Sequence, residues 1–314
     1  MKTFGAHPES QHHGHSLAED LPRMEAQLLE RRRALLWLSS SALLASCGGG
    51  GGSDSSGASA LTAAAVSAAA TSGTTAASTS TTSSTSTSTT TSSSSNACPA
   101  LPAETSGPYP ADGTNTASGS TSDVLTASGI VRSDIRSSFI SSSTVAQGVA
   151  LTITLTLQNT NASCAGLAGY AIYLWHCDRS GNYSLYTASA ESYLRGVQVT
   201  DSAGQVSFTT IFPACYSGRW PHMHFEVFTS LSAATTGKNS VLTSQLAMPS
   251  DVCNAIYPNV TGYSASVANL AAVSLSTDNV FGDNTAAQIA AMTPTMSGSA
   301  SAGYTARAVI GLAV

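Results

Sequence analysis

Residues 149–157, Val-Ala-Leu-Thr-Ile-Thr-Leu-Thr-Leu, carry the clearest secondary-structure signal in the chain. An apolar side chain stands at every second position, from Val149 to Leu157, and alanine or threonine stands between. Successive side chains of a β-strand point to opposite faces of the sheet, so this alternation predicts a strand with one buried and one exposed face. Residues 158–161, Gln-Asn-Thr-Asn, are typical turn residues and end the strand.

Further strands are predicted on the C-terminal side of this segment. Each is a short apolar run that ends at turn residues, and together they occupy residues 169–177, 204–212, 222–228, 241–247 and 303–314. Residues 251–258 predict a short helix. Many strands with few helical periods are typical of two packed sheets. We therefore predict an all-β fold, a β-sandwich with one or two short helices, in one domain over residues 98–314.

Residues 1–47 predict an export signal. Arg31, Arg32 and Arg33 precede a short apolar run, an arrangement that resembles a twin-arginine signal, and Met24 is an alternative start for it. The run ends in Leu-Ala-Ser-Cys, which resembles a bacterial lipobox whose cysteine, here Cys47, is acylated. A plain secretory signal or a short buried helix is the alternative interpretation. We expect an exported protein, periplasmic or at the cell surface, with a lipid anchor on Cys47.

The signal is followed by a linker. Residues 48–97 are almost entirely glycine, serine, threonine and alanine, and such a segment cannot bury enough apolar surface to fold. We expect it to be disordered and to space the domain from a membrane or wall.

Composition excludes several partners. Only 12 residues are Lys or Arg, and the net charge is −5, so the clustered positive charge that phosphate binding requires is lacking. We expect no nucleic-acid partner. No apolar run reaches the ~18 residues of a membrane-spanning helix. The oligomeric state is not indicated by the sequence.

Five cysteines follow Cys47, and an oxidising compartment permits disulfides among them. They are Cys98, Cys164, Cys177, Cys215 and Cys253, so at least one is unpaired. The sequence does not choose among the pairings. Because Cys98 and Cys253 flank the central region, we favour a bond between those two.

Candidate metal ligands lie in and before the strand at 222–228. His222 and His224 are two residues apart, so both imidazoles project from one face of that strand. Tyr216 precedes them closely, and Tyr183 ends the turn after the strand at 169–177. Two phenolate oxygens with two imidazole nitrogens suit a hard trivalent ion such as Fe(III), whereas zinc and copper prefer sulfur, histidine or carboxylate sets. A bound cation would hold the phenols deprotonated.

Longer motifs around these residues resemble the intradiol ring-cleavage dioxygenases, particularly their exported members. The similar segments lie between Cys98 and Phe281, and they are ETSGPYP at 104–110, RSDIR at 132–136, LWHCDRSGNYS at 174–184, RGVQVTDSAGQVSFTTIFPACYSGRWPHMHF at 195–225 and LTSQL at 242–246. The resemblance implies Fe(III) ligated by Tyr183, Tyr216, His222 and His224.

The resemblance also implies a reaction, the cleavage of a catechol-type aromatic by O2 between its two hydroxylated carbons to give a muconate-type diacid. Tyr216 would leave the metal and take a substrate proton as general base, Arg219 would stabilise negative charge that develops on the substrate, and Gln245 would assist by hydrogen bonding. The sequence departs from the family at Tyr173, at Pro110 and at residues 246–248, so the particular catechol is not identified.

Two other functions are compatible with these residues. One is a surface β-sandwich module that binds iron or another metal without turnover. The other is a carrier protein in which the two histidines bind copper or zinc. The presence of both tyrosines and of Arg219 favours the enzyme.

Overall fold

The computed structural model describes residues 98–117 and 120–314. The predictions for the export signal at 1–47, for Cys47 and for the linker at 48–97 lie outside the described residues.

Strands dominate the described part of the chain. They are β1 Asp112–Ala117, β2 Ser120–Asp123, β3 Ala150–Asn159, β4 Ala165–Gly166, β5 Ala171–Trp175, β6 Arg195–Val199, β7 Gln205–Ile211, β8 His222–Phe228, β9 Leu242–Ala247, β10 Thr295–Ser299 and β11 Gly303–Leu312. The α-helices found in the same residues are α1 Ser250–Ile256, α2 Ser264–Ala271 and α3 Ala286–Met292. Leu231–Ala233 and Gly237–Asn239 form short 3-10 turns.

The strands form two main sheets, which confirms the predicted all-β sandwich. In the first sheet β10, β11 and β3 are neighbours in that order, and both β4 and β7 pair with β3. The pairing of β11 with β3 is parallel, and the other pairings of this sheet are antiparallel. The second sheet has the order β6-β5-β8-β9 and is antiparallel throughout. The described residues hold three short α-helices rather than one or two, and none is long and apolar enough to cross a membrane.

The alternating segment at 149–157 forms β3 as predicted. Its side chains Leu151, Ile153, Leu155 and Leu157 are fully buried in the common core, and the threonines between them face outward. β3 lies inside its sheet because β11 pairs along one edge and β7 along the other. The core therefore forms on one face of this sheet, against apolar side chains of the second sheet.

The central strand of the second sheet, β8, is buried on both faces. Met223, Phe225 and Val227 belong to the shared hydrophobic core. His222, His224 and Glu226 point the other way, yet each is at most 2% exposed. The reason is that loops cover this outer face of the sheet. In an isolated sandwich the same face would be exposed to water, whereas here it forms a buried polar site.

The predicted disulfide between Cys98 and Cys253 is wrong. Cys98 pairs with Cys164, and Cys177, Cys215 and Cys253 are free and buried. The tight turn between β3 and β4 carries Cys164 to the end of the first sheet, where the segment after Cys98 hydrogen-bonds to β11 through Leu101. Cys253 is instead enclosed in α1, with no exposed surface.

Candidate metal centre

The two histidines of β8 place their ring nitrogens side by side. The Nε2 atoms of His222 and His224 are 3.1 Å apart. Each residue is fixed by its neighbours in the sheet, since His222 pairs with Ala247 while His224 lies between Trp175 of β5 and Gln245 of β9. The nitrogen pair is thus positioned by three strands rather than by a loop.

Tyr183 reaches the histidines from the turn that follows β5. The carboxylate of Asp178 accepts hydrogen bonds from the backbone of Ser180 and Asn182, which closes the turn. Gly181 has φ +89°, and a Cβ there would lie 3.1 Å from the Cβ of Tyr216, so glycine allows the turn to approach that residue. The Tyr183 hydroxyl lies 3.4 Å from Nε2 of His222 and 3.3 Å from Nε2 of His224.

Tyr216 completes the cluster from the loop between β7 and β8. Its hydroxyl lies 3.1 Å from Nε2 of His222. The ring of Tyr216 is only partly buried, whereas Tyr183 is 1% exposed. Tyr216 is therefore the member of the four that borders solvent.

The spacing of these four donor atoms fits a single metal ion. Four donors that lie ~2.0–2.1 Å from one ion in tetrahedral directions are separated by ~3.3 Å from each other. The four contacts that link these donors are 3.1 to 3.4 Å long. The described residues contain no group of three or more His, Cys, Asp or Glu side chains placed to hold a metal. A metal at this point therefore needs the phenol oxygens as well as the imidazoles.

Burial sets the protonation of the donors. It lowers the pKa of His222 and of His224 well below the ordinary value, so both rings are neutral, as ligands must be. Burial raises the pKa of Tyr183 well above the ordinary value and that of Tyr216 to about 12, although the charge of Arg219 acts in the opposite direction on both. Binding of a cation by these phenols therefore releases their protons.

Neighbouring groups orient the imidazoles. Nδ1 of His222 is 2.5 Å from the carbonyl oxygen of Trp220, and a proton on Nδ1 leaves the lone pair of Nε2 facing the other donors. The ring of His224 stacks on Trp175.

Residues 104–110, called here the covering segment, pass over the outer face of the second sheet, where Glu104 hydrogen-bonds to β9 and Thr105 to Gln245. In this segment Gly107 has φ +71°, and a Cβ there would lie 3.1 Å from Cε1 of His224. The His224 ring is thus held between an indole and a glycine.

A buried polar chain adjoins the four donors. Nη2 of Arg219 donates to Oε1 of Gln245 over 2.7 Å, and Nε2 of Gln245 donates to the carbonyl oxygen of Thr105 over 2.8 Å. Nε of Arg219 donates to Asp278. Burial lowers the pKa of Arg219, but Asp278 and the nearby phenol oxygens outweigh it, and the net change is upward. The guanidinium is therefore a permanent buried cation beside the donors.

The structure brings together the four predicted ligands Tyr183, Tyr216, His222 and His224, and it places Arg219 and Gln245 in contact with each other beside them. It adds two residues that the sequence did not single out. Asp278 comes from the segment between α2 and α3, and no motif marks it. Arg195 lies at the start of the long quoted motif. It is 1% exposed and donates to the carbonyl oxygens of Tyr109, Pro110 and Ser184. It thereby fixes both the covering segment and the residue that follows Tyr183.

Comparison with known proteins shows which proteins this chain resembles. A family model described as Dioxygenase matches residues 135–224. A solved structure, the intradiol ring-cleavage dioxygenase from Tetranychus urticae, matches with a TM-score of 0.51 and 22% sequence identity over 69% of this chain and 95% of that one. The chain is thus similar to dioxygenases over residues 135–224, and its fold is similar to that of an intradiol ring-cleavage dioxygenase. The dioxygenase domain of a carbohydrate-binding fusion protein from Streptomyces sp. SirexAA-E also matches, with a TM-score of 0.42, 20% identity, and coverage of 69% and 99%.

The match to the dioxygenase family model includes all four donors and Arg219, but it ends before Gln245 and Asp278. Tyr173, one of the positions where the sequence departs from the motifs of the dioxygenases it resembles, makes two buried hydrogen bonds. The hydroxyl of Tyr173 donates to the carbonyl oxygen of Pro110 over 2.8 Å and accepts from Nη1 of Arg195 over 2.9 Å. A neutral hydroxyl at this position joins the buried arginine to the covering segment.

Proposed function

We propose that this chain is an Fe(III)-dependent intradiol dioxygenase that cleaves a catechol-type aromatic between its hydroxylated carbons. The observation that carries the proposal is the convergence of two phenol oxygens and two imidazole nitrogens, which are linked by four contacts of 3.1 to 3.4 Å. This set holds neither sulfur nor carboxylate, and it balances much of the charge of a trivalent ion once both phenols are deprotonated. Tyr183, Tyr216, His222 and His224 would hold the ion.

The proposed reaction takes up one O2 for each catechol. Both oxygen atoms enter the product, the bond between the two hydroxylated ring carbons breaks, and the product is a muconate-type dicarboxylate with two protons released. Bound ferric iron supplies the Lewis acidity that makes the catecholate ring reactive toward O2.

Tyr216 is placed to admit the substrate. It is the donor that borders solvent, so a catechol that approaches the cluster meets Tyr216 before Tyr183 or the histidines. Rotation of Tyr216 away from His222 would open a position for a substrate oxygen. The released phenolate would then accept a hydroxyl proton from the substrate, which is a general-base role.

Arg219 and Gln245 act together in this proposal. The guanidinium is buried and charged beside the donors, where it stabilises negative charge that develops on the opening ring. Both ends of the Gln245 amide are in use, one with Arg219 and one with Thr105. Gln245 therefore supports Arg219 and ties it to the covering segment.

The deciding experiment is oxygen uptake by the iron-loaded protein with catechol, protocatechuate and hydroxyquinol, and with identification of the products. We expect stoichiometric uptake and a ring-opened dicarboxylate for at least one of them. His224→Ala should abolish uptake, while Tyr304→Phe in β11, a tyrosine of the other sheet, should not. If the loaded protein binds iron but consumes no O2 with any of the three, the non-catalytic metal-binding module becomes the better description.

We also propose that the protein is exported and lipid-anchored through Cys47. The arginines at 31–33 and the Leu-Ala-Ser-Cys motif support this, and so does the disulfide between Cys98 and Cys164, which belongs to an oxidising compartment. Metabolic labelling with a tritiated fatty acid tests it. Labelled wild type and unlabelled Cys47→Ser are expected, and equal labelling of both would exclude acylation at Cys47.

A further inference from the structure

The side chain of Asp278 forms a fully buried ion pair with Arg219. Oδ2 of Asp278 accepts a hydrogen bond from Nε of Arg219 over 2.9 Å, and both side chains have 0% exposure. The same oxygen accepts from the backbone N–H of Trp220 over 2.6 Å. One carboxylate oxygen thus contacts both the arginine and the residue that follows it.

The other oxygen of Asp278 anchors the carboxylate in its own segment. Oδ1 accepts hydrogen bonds from the backbone N–H groups of Val280 and Phe281, over 2.8 and 3.0 Å. The ring of Phe281 in turn lies 5.9 Å from the guanidinium carbon of Arg219 and 6.5 Å from the ring of His222. The carboxylate is therefore held rigidly, because both of its oxygens accept hydrogen bonds from backbone N–H groups.

Two anchors define the plane of the Arg219 guanidinium. Asp278 holds Nε, and Gln245 holds Nη2 over 2.7 Å. A guanidinium is planar and rigid, so two fixed nitrogens determine where the third one points. The third, Nη1, is buried and has no hydrogen-bond partner in the part of the chain that the structure describes. It is the donor that remains available to a reacting molecule.

We propose that Asp278 is a positioning residue of the proposed dioxygenase, which together with Gln245 fixes Arg219 so that Nη1 is presented to the substrate. The proposal rests on the function proposed above, because it concerns the group that stabilises charge in that reaction. Asp278 does not touch the substrate and acts through Arg219. It also balances the charge of Arg219 in a place where an unpaired ion would be strongly unfavourable.

Asp278→Asn is the most informative substitution. Asparagine has the same shape, and its single oxygen can still accept from Val280 and Phe281, but its amide nitrogen cannot accept from Nε of Arg219 or from the N–H of Trp220, and the negative charge is lost. We expect iron loading and the phenolate-to-iron absorption band to be unchanged, KM to change by less than ~3-fold, and kcat to fall by ~100-fold, as for loss of one preorganised donor. Asp283→Asn, an exposed carboxylate in the same segment, is the matched control and should keep wild-type kcat.

A double variant separates positioning from a direct role. Arg219→Gln/Asp278→Asn removes both charges together, so it leaves no unpaired buried ion and remains informative if Asp278→Asn alone does not fold. If Asp278 acts only through Arg219, the double variant and Arg219→Gln have equal kcat. A further ~10-fold loss in the double variant would overturn the inference, because Asp278 would then contribute independently of Arg219.

A crystal structure of iron-loaded Asp278→Asn supplies a readout that does not depend on activity. We expect the contact between Nη2 of Arg219 and Oε1 of Gln245 to lengthen beyond ~3.5 Å, the limit of a hydrogen bond. An Arg219 that stays in place, or a wild-type kcat, would refute the role of Asp278. If the wild-type protein oxidises no catechol, the proposed function fails. The position of Arg219 in the crystal structure of Asp278→Asn then decides by itself whether Asp278 positions Arg219.

Discussion

The indole ring of Trp175 lies parallel to the imidazole of His224, with 4.9 Å between the ring centroids and 8° between the planes. The two residues are directly opposite each other in the pairing of β5 with β8. The ring of Tyr173 also stacks on Trp175, with 4.8 Å between the ring centroids. The imidazole of His224, a ligand in the proposed metal site, is thus held in place by an aromatic stack that belongs to the sheet.

Trp175→Leu should weaken metal binding more than its effect on stability explains. We expect a loss of ~3–5 kcal/mol in unfolding free energy, as for large-to-small changes in a core, and a clearly lower iron affinity because the His224 ring gains freedom. Phe208→Leu, a buried ring on β7 in the other sheet, is the control for stability alone. Iron affinities from competition with a chelator, read beside urea unfolding, test this, and equal iron affinity in the two variants would contradict it.

Gly107→Ala should disturb His224 directly. Gly107 has φ +71°, and an alanine Cβ would lie 3.1 Å from the His224 ring. Gly169 has φ +80° with nothing within 4 Å of such a Cβ, so Gly169→Ala carries the backbone strain alone. We expect ~1–2 kcal/mol of destabilisation from that strain in each variant, and reduced iron loading only in Gly107→Ala. Thermal unfolding measures the destabilisation, and iron content measures the loading. A similar iron content in both variants would show that the covering segment moves to accommodate the added methyl group.

Tyr216→Phe tests the ligand set. The ferric protein should be red to violet from phenolate-to-iron charge transfer, and removal of iron with a chelator should bleach it. Tyr216→Phe should lose part of that absorption and most turnover, because one phenolate donor and the proposed general base disappear together. Tyr193→Phe is a suitable comparison, since its hydroxyl contacts Asp178 in place of a histidine. A colourless iron-replete wild-type protein would argue against phenolate ligation.

His176 should make the domain less stable in acid. Burial lowers its pKa to about 4, and it remains neutral between Thr210 and the carbonyl of Cys177. The unfolded chain takes up the proton near pH ~6.5, so the unfolded state binds more protons between these values. The contribution, of the order of 3 kcal/mol, is complete above pH ~6.5 and is lost as the pH falls to about 4.

Urea unfolding of the wild type and of His176→Gln at several pH values between 7 and 4 measures this contribution. Glutamine keeps hydrogen-bonding capacity at this position but does not titrate. The stability of the wild type should fall more steeply with decreasing pH than that of the variant. Parallel pH dependences would mean that folding does not change the pKa of His176.

The disulfide between Cys98 and Cys164 should make a measurable contribution to the unfolding free energy of the domain. A bond that closes a sequence separation of 66 residues restricts the unfolded chain, and its removal by Cys98→Ser/Cys164→Ser should cost up to ~4 kcal/mol. Peptide mapping without reduction should recover the Cys98–Cys164 pair and leave Cys253 as a free thiol. Recovery of Cys253 in a bridge would contradict the structure.

Local patterns in the sequence predicted most of the fold. β3, β5, β7, β8, β9 and β11 appear within a few residues of the predicted strands because alternation of apolar and polar side chains is a local property. β10, Thr-Met-Ser-Gly-Ser, was missed since its residues are almost all exposed and it exists only through pairing with β11. β6 was missed because Arg195, at its start, looks like a surface residue and is buried only by the covering segment.

For the candidate site, the sequence by itself determined the chemistry, and the tertiary structure decided the geometry. The His-x-His spacing on a strand places two imidazoles on one face whatever the rest of the chain does, and the tyrosines nearby made the ligand set recognisable. Only the folded chain brings Asp278 to Arg219 across 59 residues, and only it pairs Cys98 with Cys164. Those contacts arise from the packing of distant segments on the outer face and at the end of the sheets, and no local periodicity encodes which segments meet there.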